Sequence, residues 1–469
     1  MTVKIRNALY ALLGGALSFF VSYESYAEIK FSPALQIAHY WTDNRSLAVD
    51  ALREEDEIIK VQPAIALELN TRRHEVELVS TYKYLVYRQA NESREFQEYL
   101  AKSSSILVSE LLFLNLAADK SSQTASQQDV VAFDSLSLIG NRTDTSSYKI
   151  NPYLVKNWGA LWRTKINYNY MNTQYDTALI NNSQAQELTG LLGYGDIGDK
   201  IRFDLSYMKV KTESDSVVVE TEFDEIRLET FYQVNTYWIW LLNVGYENNG
   251  YDLASGGKTE GGYGEIGAEW MPTRKVTLSG TIGEHYYGNS ASLRILYQYN
   301  KQSGAEVEYR NELTQQSVQL IQSGASAVAS NQLDAFVNTF LATEVYEIRH
   351  SRIRLYYQLT RSLASLTMDR KVRDFQLSLN QEIVDEVQAS WSWNIAPKSV
   401  LAISTAVRDR EVDGQIGSDR LLFSNLKLQT SPVKNVLLGG EYGVMSRSAE
   451  ALTSYKQSKV GLFASISFQ

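Results

Sequence analysis

Catalysis needs nucleophiles, acid–base groups or metal ligands at workable spacing, and this chain offers few. It has no cysteine, which removes thiolate zinc sites, disulfides and cysteine nucleophiles together. Its four histidines are His39, His74, His285 and His350. A hydrolytic site would need one of them beside a serine or carboxylate brought in by a neighbouring strand. His74 opens an alternating segment, His350 reads as part of a short turn, and His39 and His285 fall near segment ends. Glu284-His285 and His350-Ser351 are adjacent, but successive strand residues point to opposite faces and cannot cooperate. The run Glu54-Glu55-Asp56-Glu57 lacks the glycine and spacing of a calcium loop and reads as a solvated or cation-attracting loop. Gly257-Lys258-Thr259 resembles the end of a phosphate loop, yet Asp252 stands where that loop needs its first glycine. No catalytic residue, metal ligand or cofactor is assigned, and a non-enzymatic protein is expected.

The informative charges alternate with apolar residues. Arg163, Lys165, Arg202, Glu225, Arg227, Glu229, Glu306, Glu308, Arg352 and Arg354 all sit on the polar side of period-two segments. Two readings follow. They are cross-strand ion pairs bracing an interior, or they line a path for a polar solute or polymer. Tyr168, Tyr170, Tyr207, Tyr286 and Tyr287 divide in the same way, between interfacial girdles and sugar-stacking platforms.

Period two dominates from Glu28 onward, the mark of strands with one apolar face. Ile59, Val61, Pro63, Ile65, Leu67 and Leu69 oppose Lys60, Gln62 and Glu68. Trp162, Thr164, Ile166, Tyr168 and Tyr170 oppose Arg163, Lys165, Asn167 and Asn169, and Ile353, Leu355 and Tyr357 oppose Arg352, Arg354 and Gln358. A helical period is nearly absent, and only Asn331 to Thr343 allows a short helix. Short connections (Asn70 to Arg73, Lys156 to Gly159, Asp196 to Asp199, Asn235-Thr236, Pro272 to Lys275, Pro397-Lys398, Ser431 to Asn435) alternate with long ones (Thr42 to Glu57, Ser122 to Ser146, Asn172 to Gln184, Lys211 to Val219, Asn248 to Gly261, Gln316 to Phe336). That rhythm is how a bacterial outer-membrane barrel joins its strands, with tight periplasmic turns and longer outer loops. An open sheet of so many amphipathic strands would leave unpaired edges and a bare apolar face, and closure in lipid removes both. The expected fold is all-β, a closed antiparallel transmembrane barrel of the bacterial outer membrane, with about 22 strands and a range of roughly 18 to 24. Pro33, Pro63 and Pro152 fall inside strand patterns and predict bulges or strand ends.

The first residues read as an address. Lys4 and Arg6 precede an apolar run from Ala8 to Val21, and Ser25-Tyr26-Ala27 supplies the small residues a signal peptidase accepts. Residues 1–27 are therefore expected to be a signal peptide, and 28–469 a single barrel domain in the outer membrane of a Gram-negative cell. At the other end Val460, Leu462, Ala464, Ile466 and Phe468 form an apolar face one residue short of the terminus. It resembles the last-strand signal read by the barrel assembly machinery, with Gln469 following the aromatic as a departure. Lys+Arg 45 against Asp+Glu 54 gives a net charge of −9, with no basic footprint for nucleic acid.

The order of segments in the first third carries a resemblance. Phe31-Ser32-Pro33-Ala34-Leu35 leads to Thr42-Asp43-Asn44, then to Val61-Gln62-Pro63-Ala64-Ile65-Ala66-Leu67, a tyrosine-rich segment, Ser121-Ser122-Gln123 and Asn151-Pro152-Tyr153-Leu154. This layout resembles the outer-membrane proteins found with PEP-CTERM/exosortase exopolysaccharide systems. The resemblance implies a barrel acting in exopolysaccharide export or surface display, with outer-membrane lipid, the assembly machinery, the polysaccharide and periplasmic export components as partners. It transfers no catalytic residues. A general diffusion porin and a structural or adhesive barrel with a plugged lumen are the other classes, separated by pore-lining charge. An exporter should carry a ladder of like-sign or aromatic residues along one wall, whereas a porin should oppose acidic and basic walls at a constriction. The loop Gln316 to Phe336, with its small residues Ser323 to Ala327, reads either as an ordinary surface loop or as an internal constriction that gates an exported polymer.

Overall fold

The computed structural model describes residues 28–468 except 125–129, 133–134, 178–181, 197–198, 216–219, 252–255, 316–344, 414–415 and 451. The leader expected over 1–27, the connection Gln316 to Phe336 and the helix allowed over Asn331 to Thr343 lie outside the described residues.

The strands are β1 (Glu28–Thr42), β2 (Asp56–Asn70), β3 (His74–Tyr87), β4 (Glu92–Val108), β5 (Leu112–Thr124), β6 (Arg142–Trp158), β7 (Trp162–Tyr175), β8 (Ser183–Tyr194), β9 (Ile201–Ser214), β10 (Thr221–Asn235) and β11 (Trp238–Asn248). The second half holds β12 (Glu260–Thr273), β13 (Val276–His285), β14 (Gly288–Asn300), β15 (Ser303–Thr314), β16 (Tyr346–Gln358), β17 (Ser362–Phe375), β18 (Gln381–Ala396), β19 (Ser399–Val412), β20 (Ile416–Thr430), β21 (Val436–Ala449) and β22 (Tyr455–Ser467). They form one 22-stranded antiparallel sheet in which each strand pairs with the next in sequence. β1 closes it by pairing with β22 from Ala34↔Ser467 to Thr42↔Lys459, and Phe468 donates its N–H to Pro33 O at 2.8 Å beyond that ladder. The molecule is a closed β-barrel with no free sheet edge.

Side-chain alternation divides every strand between two environments. In β1 Ala38, Tyr40 and Thr42 are buried while Ile29, Phe31, Ile37 and Trp41 are exposed; the first set faces inward and the second outward. Registers carry this parity around the barrel, so Ile65, Ile166, Leu205, Ile226, Leu242, Ile266, Ile282, Leu293, Leu355, Ile403, Leu428 and Leu462 make an exposed apolar exterior. An aqueous protein would not leave so continuous an apolar surface bare. Outward tryptophans gather toward the short-turn end, where Trp238 stacks on Trp270 at 5.3 Å and Trp391 lies 5.8 Å from Trp393. Toward the long-loop end the outward face turns to ion pairs, among them Lys209–Glu222 at 2.6 Å, Arg349–Asp374 at 2.7 Å and Arg420–Asp409 at 2.6 Å. The apolar band between these borders is the lipid-facing zone.

The start of β1 and the end of β22 lie at the short-turn end. The rhythm of connections departs from strict alternation at three places, since β3–β4, β13–β14 and β19–β20 join through only Arg88 to Asn91, Tyr286-Tyr287 and 413–415 at the long-loop end. The prolines also differ from expectation. Pro63 and Pro152 produce neither bulge nor strand end. The ladders pass from Val61↔Tyr84 to Ala64↔Thr81 and from Ile150↔Tyr170 to Tyr153↔Asn167 with the register kept. The missing N–H opens the ladder locally, and at Pro152 a side chain fills the gap, because Asn151 Nδ2 donates to Tyr168 O at 3.0 Å. Pro33 pairs in register with Ile65 and sits just beyond the last β1–β22 rung. His350 is a further correction. Instead of lying in a turn it is inside β16, buried and facing inward.

Candidate functional site

The barrel's inner wall is where polar side chains converge, and every candidate lumen residue named from the sequence has inward parity. Most are engaged with one another. Arg163 Nη2 lies 2.5 Å from Asp204 Oδ1 and also donates from Nη1 to Gly195 O. That pair reaches from β7 to β9 across Gly193, where a Cβ would come within 2.6 Å of Arg163 Nε and of Asp204 Oδ1. Arg227 Nη2 sits 2.7 Å from Glu225 Oε1 and its Nε donates to Tyr263 OH at 2.8 Å, while Tyr263 OH donates to Glu225. Glu306 and Glu308 share Arg294 at 2.7 and 3.4 Å, and Arg352 bonds Asp369 at 2.8 Å. Arg202 lies flat on Phe231, 3.8 Å from the ring centroid, and Lys165 is 5.8 Å from the Tyr153 ring. Arg354 and Glu229 form no salt bridge among the described residues, and Arg354 is exposed to the lumen.

Residues outside the candidate set tighten this belt. Glu382 is buried between Arg373 and Arg410, each at 2.6 Å. Arg447 grips Asp419 through two bonds of 2.8 and 2.9 Å, both partners buried. His350 Nε2 meets Asp369 at 2.7 Å. His285, at the end of β13, is held between Glu247 at 3.0 Å and Glu265 at 3.1 Å and stacks on Tyr263 at 4.2 Å. Both ring nitrogens of His285 therefore face carboxylates brought in by β11 and β12, and Ser290 Oγ donates to Glu265 Oε1 at 2.7 Å.

The charges are also sorted by sector. From β10 to β15 the inward carboxylates Glu225, Glu229, Glu247, Glu265, Glu269, Glu306, Glu308 and Glu312 outnumber Arg227, Arg294 and Arg310. From β16 to β19 the balance reverses, with Arg352, Arg354, Lys371, Arg373, Arg408 and Arg410 against Asp369, Glu382 and Glu386. The two sectors stand side by side on the wall and do not face each other across it.

At the long-loop end part of the lumen is filled by the chain itself. The connection between β5 and β6 turns inward. Leu136 packs among Ala38, Tyr40, Ile58, Leu85, Tyr87 and Phe463, and Ala132 and Ile139 pack with Leu47, Met445 and Tyr455. Inward side chains bond its backbone: Tyr455 OH to Val131 O at 2.6 Å, Tyr87 OH to Leu136 O at 3.0 Å and Arg94 Nη1 to Ile139 O at 2.8 Å. The segment thus runs from β5 past β4 to β1 and reaches β21 and β22. By sequence alone this stretch reads as an ordinary long loop. Its signal was an apolar triplet, Leu136, Leu138 and Ile139, in a stretch that solvent alone would not favour. A second apolar cluster, Met171, Ala185, Val210, Phe223 and Val345, covers the inner face of β7 to β10, and Gln315 accepts from Thr212 and Thr221 at 2.8 and 2.7 Å.

At the short-turn end the wall from β4 to β7 is different again, made of neutral polar groups and rings. Ser104, Asn115, Asn151 and Asn167 form a hydrogen-bonded row, and Phe113 stacks on Tyr153 with centroids 4.8 Å apart and planes 8° from parallel. Of the tyrosines offered as sugar platforms, Tyr168, Tyr170 and Tyr207 have outward parity and face the lipid zone, which removes them from the lumen. Tyr286 and Tyr287 form the short β13–β14 connection.

No known protein family and no curated protein matches this sequence. Among solved structures it is similar to the siderophore receptor PirA from Acinetobacter baumannii, at 8% identity and a TM-score of 0.54 over 94% of this chain and 81% of that one. It is similar also to the FrpB iron transporter from Neisseria meningitidis, with 8% identity and a TM-score of 0.54 over 93% and 82%. A variant of the ferric enterobactin receptor PfeA from Pseudomonas aeruginosa gives 9% and 0.52 over 94% and 80%. The likeness is one of fold. It places this chain with outer-membrane barrels in architecture, whereas its lumen must be read from its own residues.

Proposed function

We propose that this chain is a non-enzymatic outer-membrane barrel of a Gram-negative cell that acts in exopolysaccharide export or surface display, linked to a PEP-CTERM/exosortase system. The observation that carries the reading is the sorting of lumen charge. An acid-rich wall runs from β10 to β15 with the base-rich sector beside it, the arrangement expected of a surface along which a chain slides. A diffusion porin would set the two signs against each other across a constriction, and these sectors do not. The exposed apolar band and aromatic border support the membrane location. The in-folded β5–β6 segment favours a second reading, a surface barrel whose lumen is closed at the outer end. Uptake of an iron chelate, which the neighbours' names suggest, rests here on fold alone. Single-channel conductance of the purified chain in planar bilayers, with and without the polysaccharide of its own host, tests the proposal. Current that the polymer interrupts supports export. Current indifferent to it indicates a porin, and absence of current indicates the closed barrel.

A further inference from the structure

We infer that the short-turn half of the inner wall on β4 to β7 is a saccharide-binding track, an inference that rests on the polymer-handling reading above and locates it. The row is directional. Ser104 Oγ donates to Asn115 Oδ1 at 3.0 Å, Asn115 Nδ2 donates to Asn151 Oδ1 at 3.2 Å, and Asn151 Nδ2 donates to Asn167 Oδ1 at 2.5 Å. Asn151 is further fixed by its bond to the Tyr168 carbonyl in the gap left by Pro152. Each amide is oriented by the one before it, and Asn167 ends the row with an Nδ2 that donates to no other group among the described residues. Sugar hydroxyls both donate and accept, as amides do, so such a row meets them without carrying net charge. A wall built only to brace the barrel uses ion pairs, which is what β14 to β21 show. Beside the row, Phe113 and Tyr153 are half-buried and stacked, so that an apolar ring face remains for the C–H face of a pyranose. Lys165, exposed at the rim of Tyr153, adds a cation within reach of an acidic substituent. Because the side chains hold one another, little rotamer freedom is lost on binding. The track lies at the end where the short turns gather, which is the periplasmic end of such barrels. A chain leaving the periplasm would meet it first.

The probes are a neutral gluco-oligosaccharide and an oligouronate of equal length, added to the purified full chain in bilayers and, in parallel, titrated calorimetrically into detergent-solubilised protein. Wild type should bind at least one of them. Asn167→Ala and Tyr153→Ala should each weaken binding about tenfold, the scale of losing one well-placed contact, whereas Tyr153→Phe keeps the ring and should bind as wild type. Stronger binding of the oligouronate that Lys165→Gln removes would add an acidic saccharide to the assignment. Binding by neither probe, or binding unchanged in Asn167→Ala and Tyr153→Ala proteins that still migrate as folded barrels, would overturn the track. Calorimetric binding without conductance would remove export and leave the track standing, whereas current interrupted by the host polysaccharide in a protein that binds neither oligosaccharide would remove the track and leave export standing.

Discussion

At the scale of single residues, the inner wall shows why buried charge must be read with its partners. Glu382 neutralises two inward arginines, the half-buried Arg373 and the buried Arg410. Glu382→Gln keeps the shape but leaves two guanidinium groups without a counter-charge, and breaking a buried pair in this way costs about 3 to 5 kcal/mol. The variant should unfold at clearly lower temperature in a heat-modifiability gel than wild type. Arg420→Gln, which removes an exposed partner of Asp409, should change the transition little, since exposed pairs contribute about 0 to 1 kcal/mol. Equal loss in both would show that the wall's ion pairs are not graded by burial. His350 illustrates the limit of local reading. A histidine followed by serine and flanked by arginines resembles a turn in isolation, yet its pairing with Lys371 and Arg310 fixes it inside the ladder.

At the scale of elements, facing decides tolerance. In β16 Arg354 has inward parity and Leu355 outward, with Leu355 43% exposed on the apolar exterior. Leu355→Arg therefore sets a cation in the lipid zone, at about 2 to 4 kcal/mol near mid-membrane, while Arg354→Leu removes a lumen charge that has no salt-bridge partner. Assembly into a protease-resistant barrel should fall sharply for the first and stay near wild type for the second. The in-folded β5–β6 segment invites a parallel test. Leu136 anchors it in an apolar nest, so Leu136→Asp should release it from the wall while the strands, paired through their backbones, remain. Protease accessibility of the segment should rise and any conductance should increase. An unchanged cleavage pattern would mean the tyrosine and arginine bonds to its backbone suffice to hold it.

At the scale of the whole molecule, closure is a single contact between the chain's ends. Val460, Leu462, Ala464 and Ile466 have outward parity on β22, with Phe468 just beyond it, and the same strand supplies the ladder that β1 makes on its far side, from Ala34↔Ser467 to Thr42↔Lys459. Gly461 leaves room there for the Tyr40 ring, since a Cβ would come within 2.3 Å of it. Removing 460–469 would expose the edges of β1 and β21 along the lipid zone, where unpaired backbone groups are intolerable. The truncated chain should cross the inner membrane and fail to yield a heat-modifiable barrel. Recovery of a folded outer-membrane species would mean that 21 strands can close in another way. Gly461→Leu should slow assembly without abolishing it, by pushing Tyr40 off the seam.

The approximate strand number and the facing of the clearest strands are legible in the sequence, because period-two alternation is a local property that each segment carries alone. Ile166 against Lys165, or Leu355 against Arg354, declares its faces without reference to the rest of the chain. The in-phase rhythm of connections then left closure as the one arrangement that satisfies every edge. What alternation cannot state is which inward residues meet. Arg163 finds Asp204 two strands away only because Gly193 lies between them, and Asn151 reaches the Tyr168 carbonyl because Pro152 opens a rung. Leu136 joins Tyr40 and Phe463 through a connection whose path no period encodes. These contacts depend on register between strands and on the curvature of a closed wall. Facing belongs to the sequence by itself, whereas the lumen's chemistry is decided by which inward positions the closed sheet brings within a few ångströms.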